Sequence, residues 1–192
     1  MSMTPIVLDA RTLKALAHPL RVQVVGTLRR FGPSTATQLA ERLGVSSAAV
    51  SYHVRQLAAA GLVVDVPERG NARERWWKAA HDVTVADTRT LDEDDPDALD
   101  AYLRSIATAI TLRIQQVLGA RSAMPPEWRS VTDLSDFRAR LTPAQTEELT
   151  ERLHAVAEEY VRQHPESEAG PDAEMVSFDL QVLPDLDVGD RS

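Results

Sequence analysis

The chain has 192 residues, enough for one or two domains with a core that needs no covalent staples. It holds no cysteine, which excludes disulfides and thiolate metal sites, and no apolar run approaches the ~20 residues of a membrane span. The net charge of −8 is unevenly spread: residues 11–80 carry 11 Lys and Arg against 4 Asp and Glu, whereas residues 81–192 carry 10 against 24. A basic first part suits docking on phosphates and an acidic remainder repels them, although an acidic tail also serves as a plain solvated surface. No basic-then-apolar leader opens the chain, so a cytoplasmic location is the expectation.

Residues 9–17 read as a short helix with Leu13 and Leu16 at spacing three, broken by His18-Pro19. Pro19 suits the first turn of a second helix, where its missing amide costs nothing; that helix runs over 20–30 with Leu20, Val24, Val25 and Leu28 as its apolar stripe, and ends at Phe31-Gly32-Pro33. Thr35 and Gln38 make a capping-box pattern for a helix carrying Leu39 and Leu43. Gly44 then supplies a left-handed stop and Ser46 an N-cap, so the next helix, 46–60, follows after a very short turn. Val50, Val54 and Leu57, at spacings of four and three, face its core, and Gly61 ends it. Two short helices joined this way form a helix-turn-helix, whose second helix fits the DNA major groove.

Residues 62–67 and 74–79 read as two strands around a turn at Gly70-Asn71, a hairpin directly after the recognition helix and so a wing. Residues 82–90 read as a short extended segment and 92–97, acidic and holding a proline, as a linker or the approach to a helix. Residues 97–119 then give a strong helical pattern, with Leu99, Leu103, Ile106, Ile110, Ile114 and Val117 on one stripe and Tyr102, Ala109 and Leu112 beside it. A helix this apolar all round suits packing on its own domain and on a second subunit; packing within one chain is the plainer alternative.

Beyond it, 121–130 reads as a loop with Pro125-Pro126, and 136–141 as a strand through Phe137, Ala139 and Leu141. Thr142-Pro143 starts a helix to about residue 163 with Leu149, Leu153, Val156 and Tyr160 on one face. Residues 164–172 are polar. Residues 175–183 alternate cleanly, with Val176, Phe178, Leu180 and Val182 on one side, and pairing with 136–141 would give a small α+β appendage. The expected fold class is mostly α with a β-hairpin wing: a winged helix-turn-helix domain over 9–90, a linker and long dimerisation helix over 91–120, and a small α+β acidic extension over 121–192.

A step of 100° per residue puts Ala48, Tyr52, Arg55 and Ala59 roughly opposite Val50, with Ser51 at the edge. Ser47 lies in the first turn, where helix amides meet a phosphate. Arg55 has the reach for guanine or a phosphate and Tyr52 for a phosphate or a thymine methyl; Ala48 is small enough for close approach. Each of these also fits an ordinary solvated helix face. The expected DNA-contacting residues are Ser46, Ser47, Ala48, Ser51, Tyr52 and Arg55 on the helix and Arg69, Asn71 and Arg73 on the wing, whose basic tip suits a minor groove or phosphates. His53 lies beside the core face, about 60° from Val50, and reads as a hydrogen-bonded structural histidine. Of Trp76 and Trp77, on opposite faces of one strand, one belongs in the core.

The spacing of His154 with Glu151 and Glu158 is the one that could hold a metal from a single helix face, and charges so spaced are more often a solvated surface. No Ser/His/Asp set, glycine-rich phosphate loop or paired catalytic carboxylate stands out, so no enzyme activity, cofactor or metal is expected.

The runs Leu13-Lys14-Ala15-Leu16-Ala17-His18-Pro19-Leu20-Arg21, Leu39-Ala40-Glu41-Arg42-Leu43-Gly44-Val45-Ser46, Val50-Ser51-Tyr52-His53-Val54-Arg55-Gln56-Leu57 and Ala60-Gly61-Leu62-Val63 resemble the ArsR-type winged helix-turn-helix repressors. The resemblance covers about residues 9–80. It implies a homodimer on palindromic promoter DNA, with helices at both ends of the winged domain in the dimer contact. The chain departs from that pattern in lacking the cysteines of thiolate sensors, so metal sensing does not carry over. It departs again in its acidic extension, which suits a different effector, a wider dimer or a protein partner.

The leading expectation is a dimeric, sequence-specific regulator of transcription, a repressor by blocking polymerase, with activation open. Its partners are double-stranded DNA carrying a roughly palindromic operator, a second copy, and an unidentified small-molecule or protein effector, with no membrane. The alternative is a winged-helix protein-interaction module without specific DNA binding.

Overall fold

The computed structural model describes residues 4–70, 74–165 and 168–185, and the chain divides into two compact units, residues 2–124 and 125–192. The first unit begins with strand β1 (Pro5–Val7) and helix α1 (Ala10–Leu16). Asp9 caps α1: its carboxylate accepts from the Thr12 amide while the Thr12 hydroxyl reaches back to the Asp9 backbone. Helix α2 (Pro19–Phe31) starts with proline at its first position, and the His18 Nδ1 accepts from the Leu20 amide at 3.2 Å. Strand β2 (Ser34–Thr35) leads straight into α3 (Ala36–Leu43), with the expected capping box of Thr35 and Gln38. Helix α4 (Ser47–Ala59) follows.

Strands β3 (Val63–Asp65) and β4 (Trp76–Ala79) pair antiparallel with Val64 opposite Lys78, as the hairpin reading expected. They are shorter than the sequence suggested, because Pro67–Arg69 coils into a 3-10 turn. Strand β2 joins the other edge of β4, Thr35 opposite Trp76, so the wing is the outer part of a three-stranded sheet in the order β2-β4-β3. That edge ties the start of α3 to the wing. A separate parallel pair links β1 to β5 (Val83–Val85), where an extended segment was expected. Residues 92–97, read as a linker or the approach to a helix, run from the end of one helix into the next: α5 (Thr88–Asp94), capped by Asp87, and α6 (Pro96–Ala120), capped by Asp95.

One core serves the whole unit. Leu13 and Leu16 of α1, Val24, Val25 and Leu28 of α2, Leu39 of α3, Val50, Val54 and Leu57 of α4, Leu62, Val63 and Trp77 of the sheet, and Leu91, Leu99 and Tyr102 of α5 and α6 are all buried. Each of the large aliphatic side chains among them contributes roughly 1.5–3 kcal/mol by leaving water. Arg29 ties α2 to the segment before and within β5, donating to the His81 carbonyl oxygen and the Thr84 hydroxyl, each at 2.9 Å. Helix α6 packs on α1, α2 and α5. Its buried face is Ala98, Leu99, Tyr102, Ser105 and Ala109; of the expected stripe Leu99 is buried and Ile106 packs on the core, while Leu103 and Val117 are exposed. Ala98, Ser105 and Ala109 let the helix lie close to its neighbours, Leu99 and Tyr102 fill the core, and Leu103, Leu112, Val117 and Leu118 are turned outward.

The second unit holds a short helix α7 (Pro126–Ser130), which with the 3-10 turn Arg121–Ala123 replaces the loop expected over 121–130. Helix α8 (Pro143–Gln163) carries the expected capping box of Thr142 and Gln145 with Pro143 at its first position. The strands expected over 136–141 and 175–183 do not form, so the appendage is helical with extended chain and not α+β. Alternation alone does not supply a neighbouring strand, and no strand is formed in either stretch. Among the described residues of this unit none is buried, and Phe137 is 93% exposed.

Candidate nucleic-acid interface

Helices α3 and α4 meet at Gly44, which sits in the left-handed region (φ 66°, ψ 33°) and turns the chain without a Cβ penalty. The Val45 amide closes back on the Ala40 carbonyl oxygen at 3.1 Å, and the Ser46 hydroxyl accepts from the Ala49 amide at 3.2 Å. The far end of α4 closes as a Schellman motif: the Leu62 amide reaches the Leu57 carbonyl oxygen and the Gly61 amide that of Ala58, both at 3.0 Å, with Gly61 at φ 78°. Both ends of α4 are therefore pinned. Val50, Val54 and Leu57 lock its inner side, each at most 1% exposed.

The outer side is what this leaves free. Ser46, Ser47, Ala48 and Arg55 are exposed, Tyr52 is 55% exposed, and Ser51 is half-buried at the edge, as the helical step required. The Arg55 Nε donates to the Ser51 carbonyl oxygen at 3.0 Å, which lays the guanidinium along the outer face. On the wing, Arg69 is exposed and its guanidinium lies 5.7 Å from the Trp76 ring centre, a cation–π contact. Trp77 is the tryptophan in the core. Asn71 and Arg73 lie outside the described residues. Lys78 and Arg75 on and before β4 are exposed as well, further basic groups that the sequence reading passed over.

His53 departs from expectation. Its Nδ1 is enclosed without a hydrogen-bond partner, and its ring leans on His18 with centres 4.3 Å apart and planes 43° apart. Burial, then His18 and Arg21, hold the His53 imidazole below its ordinary value; burial, then Arg21, do the same for His18. The sequence separates His18 and Arg21 from His53 by a whole helix, and no local pattern announced that they meet.

Among the described residues no group of three or more His, Asp or Glu stands close enough to hold a metal ion, and no described helix is long and apolar enough to cross a membrane.

Short helices joined at a left-handed glycine, a capped outward-facing helix and an antiparallel wing together define a winged helix-turn-helix protein. A family described as "Helix-turn-helix domain" matches residues 16–66. The HTH-type transcriptional regulator NmtR of Mycobacterium tuberculosis is 47% identical over 55 residues, 29% of this chain and 45% of that protein, so the chain spans a little under half the length of this relative. Reduced HlyU from Vibrio cholerae is 29% identical, with a TM-score of 0.32 over 36% of this chain and 68% of its own. The transcriptional regulator Tm0710 from Thermotoga maritima is 17% identical, with a TM-score of 0.31 over 80% and 91%. The chain is a winged helix-turn-helix protein related, through its N-terminal part, to known transcriptional regulators.

Proposed function

We propose that the protein is a dimeric, sequence-specific DNA-binding regulator of transcription of the ArsR type, acting as a repressor. The observation that carries this reading is the two-sided character of α4. One side is sealed by Val50, Val54 and Leu57, and the other presents Ser46, Ser47, Ala48, Ser51, Tyr52 and Arg55. The major groove accepts such a helix, with serines and Tyr52 on phosphates and Arg55 on guanine or a phosphate. Arg69, Asn71 and Arg73 extend the contact to the minor groove or the backbone. The basic balance of residues 11–80 supplies the non-specific attraction.

In this reading residues 9–90 are the DNA-binding domain, 91–120 the linker and dimerisation helix, and 121–192 the effector or bracing region. The exposed Leu103, Leu112, Val117 and Leu118 of α6 support a second copy packing there. Two recognition helices then meet half-sites about one helical turn apart, and occupancy blocks polymerase. Selection of bound duplexes from a random pool with the full chain tests this. An enriched inverted repeat is the expected result; an unenriched pool refutes it and favours the alternative, a winged-helix module that binds protein. The large apolar side chains exposed in the second unit, Phe137 and Leu183 among them, are what favour that alternative.

A further inference from the structure

We propose that His18, Arg21 and His53 form a cationic rail that grips a DNA phosphate beside the recognition helix, so that binding of duplex DNA draws a proton onto His53. This rests on the DNA-binding reading above and adds to it a second contact surface and a pH dependence.

The rail is continuous with the face already described. Tyr52, more than half exposed on the outer side of α4, meets the His53 ring edge-on at 5.2 Å, and His53 leans on His18 at 4.3 Å. Arg21 stands one turn along α2 from His18, its Nη2 held by the Lys14 carbonyl oxygen at 3.2 Å, and its charge acts on both imidazoles. From the start of α2 to the outer side of α4 the surface is therefore aromatic and basic without a break.

Among the described residues no carboxylate acts on either imidazole. On α1, Arg11 donates to the Ala59 carbonyl oxygen at the end of α4, and Lys14 is paired with Asp95, the cap of α6, at 2.7 Å. At the start of α2 the groups are its cap His18 and Arg21, with Arg29 and Arg30 in its last turn; α3 carries Glu41 and Arg42, β3 carries Asp65, and α4 carries Tyr52, His53 and, toward the other edge, Arg55. A phosphate supplies the missing anion, and a guanidinium beside an imidazole suits two of its oxygens. The His18 Nδ1 is committed as acceptor to the Leu20 amide, so His18 stays neutral and donates from Nε2. His53 has no such commitment and is the ring that takes the proton.

The linkage has a definite sign. In the free protein burial, and after it the Arg21 guanidinium, disfavour imidazolium at His53; a phosphate on the rail favours it. The complex then holds a proton that the free protein lacks, and affinity rises as pH falls.

The test is fluorescence anisotropy of the full chain on a short mixed-sequence DNA duplex, at low and constant ionic strength, between about pH 8 and about pH 5.5. The parent protein should tighten by about three- to tenfold over that range. His53→Gln should flatten the profile. His18→Asn keeps a capping acceptor for the Leu20 amide and should weaken binding at every pH, leaving most of the slope. In a separate salt series at fixed pH, Arg21→Gln should reduce the slope of affinity against salt by about one, a readout that a purely structural residue does not move and that stands even if His53→Gln fails to fold. A His53→Gln profile parallel to the parent's, a parent that weakens in acid, or an unchanged salt slope in Arg21→Gln overturns the inference. A parent that captures no duplex at any pH brings down the DNA-binding reading itself.

Discussion

Arg55→Ala is the substitution whose consequences separate binding from folding most cleanly. The side chain is exposed and its Nε is tied only to its own helix, donating to the Ser51 carbonyl oxygen at 3.0 Å. Removing it opens no cavity and strands no buried group, so the unfolding free energy should change by no more than about 0.5 kcal/mol. Binding is another matter. If the guanidinium reads a guanine edge, its loss costs about 1–3 kcal/mol, or roughly five- to 150-fold in Kd. Part of the gross contact energy is already spent, because the Ser51 bond must be given up on docking, which places the result toward the lower half of that range. The assay is a gel shift of parent and variant on the selected operator and on a version altered at one base pair per half-site. A base reader loses discrimination at that position; a phosphate contact weakens both duplexes alike and lowers the salt slope by about one. Equal affinity of parent and variant for the operator would falsify the placement of Arg55 in the groove.

Three further predictions concern the scaffold. Leu57→Ala, at a fully buried position under α4, should cost about 2–5 kcal/mol in urea unfolding, and a cost below about 1 kcal/mol would contradict the core described. Gly44→Ala meets open space around its Cβ, so only the left-handed backbone resists it; a loss of about 1–2 kcal/mol is expected, and no loss would mean that the turn is not held at positive φ. His18 and His53 both have their imidazolium forms disfavoured by folding, so the unfolded chain binds more protons below the ordinary value of 6.5. Their contribution to stability is complete above that value and shrinks as pH falls through it; urea midpoints of the DNA-free protein at neutral and mildly acidic pH read this, and a midpoint that rises in acid opposes the assignment.

The helix starts were the most legible part of the chain because each carries its own local chemistry. Asp9, Pro19, Thr35, Ser46 and Thr142-Pro143 satisfy or dispense with orphan amides within three residues, and such patterns need no knowledge of the rest of the fold. The outer side of α4 followed from the same locality, since Val50, Val54 and Leu57 fix which way the helix faces. Long-range pairing was not legible. Strands β1 and β2 have three and two residues and exist only because β5 and β4 lie beside them. Residues 175–183 show the opposite failure, with a clean alternation but no partner strand among the described residues. In α6 Leu99, Tyr102 and Ala109 were legible as apolar positions, but Ala98 and Ser105 join the buried face through close approach to neighbouring helices. The contact of His18 with His53 is invisible for the same reason: it depends on how α2 crosses α4.

The central claim is that the outward side of α4 is where the protein meets duplex DNA. Amide chemical-shift mapping of the full chain, with and without the selected duplex, tests it most directly. The account predicts changes concentrated at Ser46–Arg55, at the wing around Arg69 and at the start of α2. Shifts confined to residues 125–185, with the α4 signals unmoved, would contradict it.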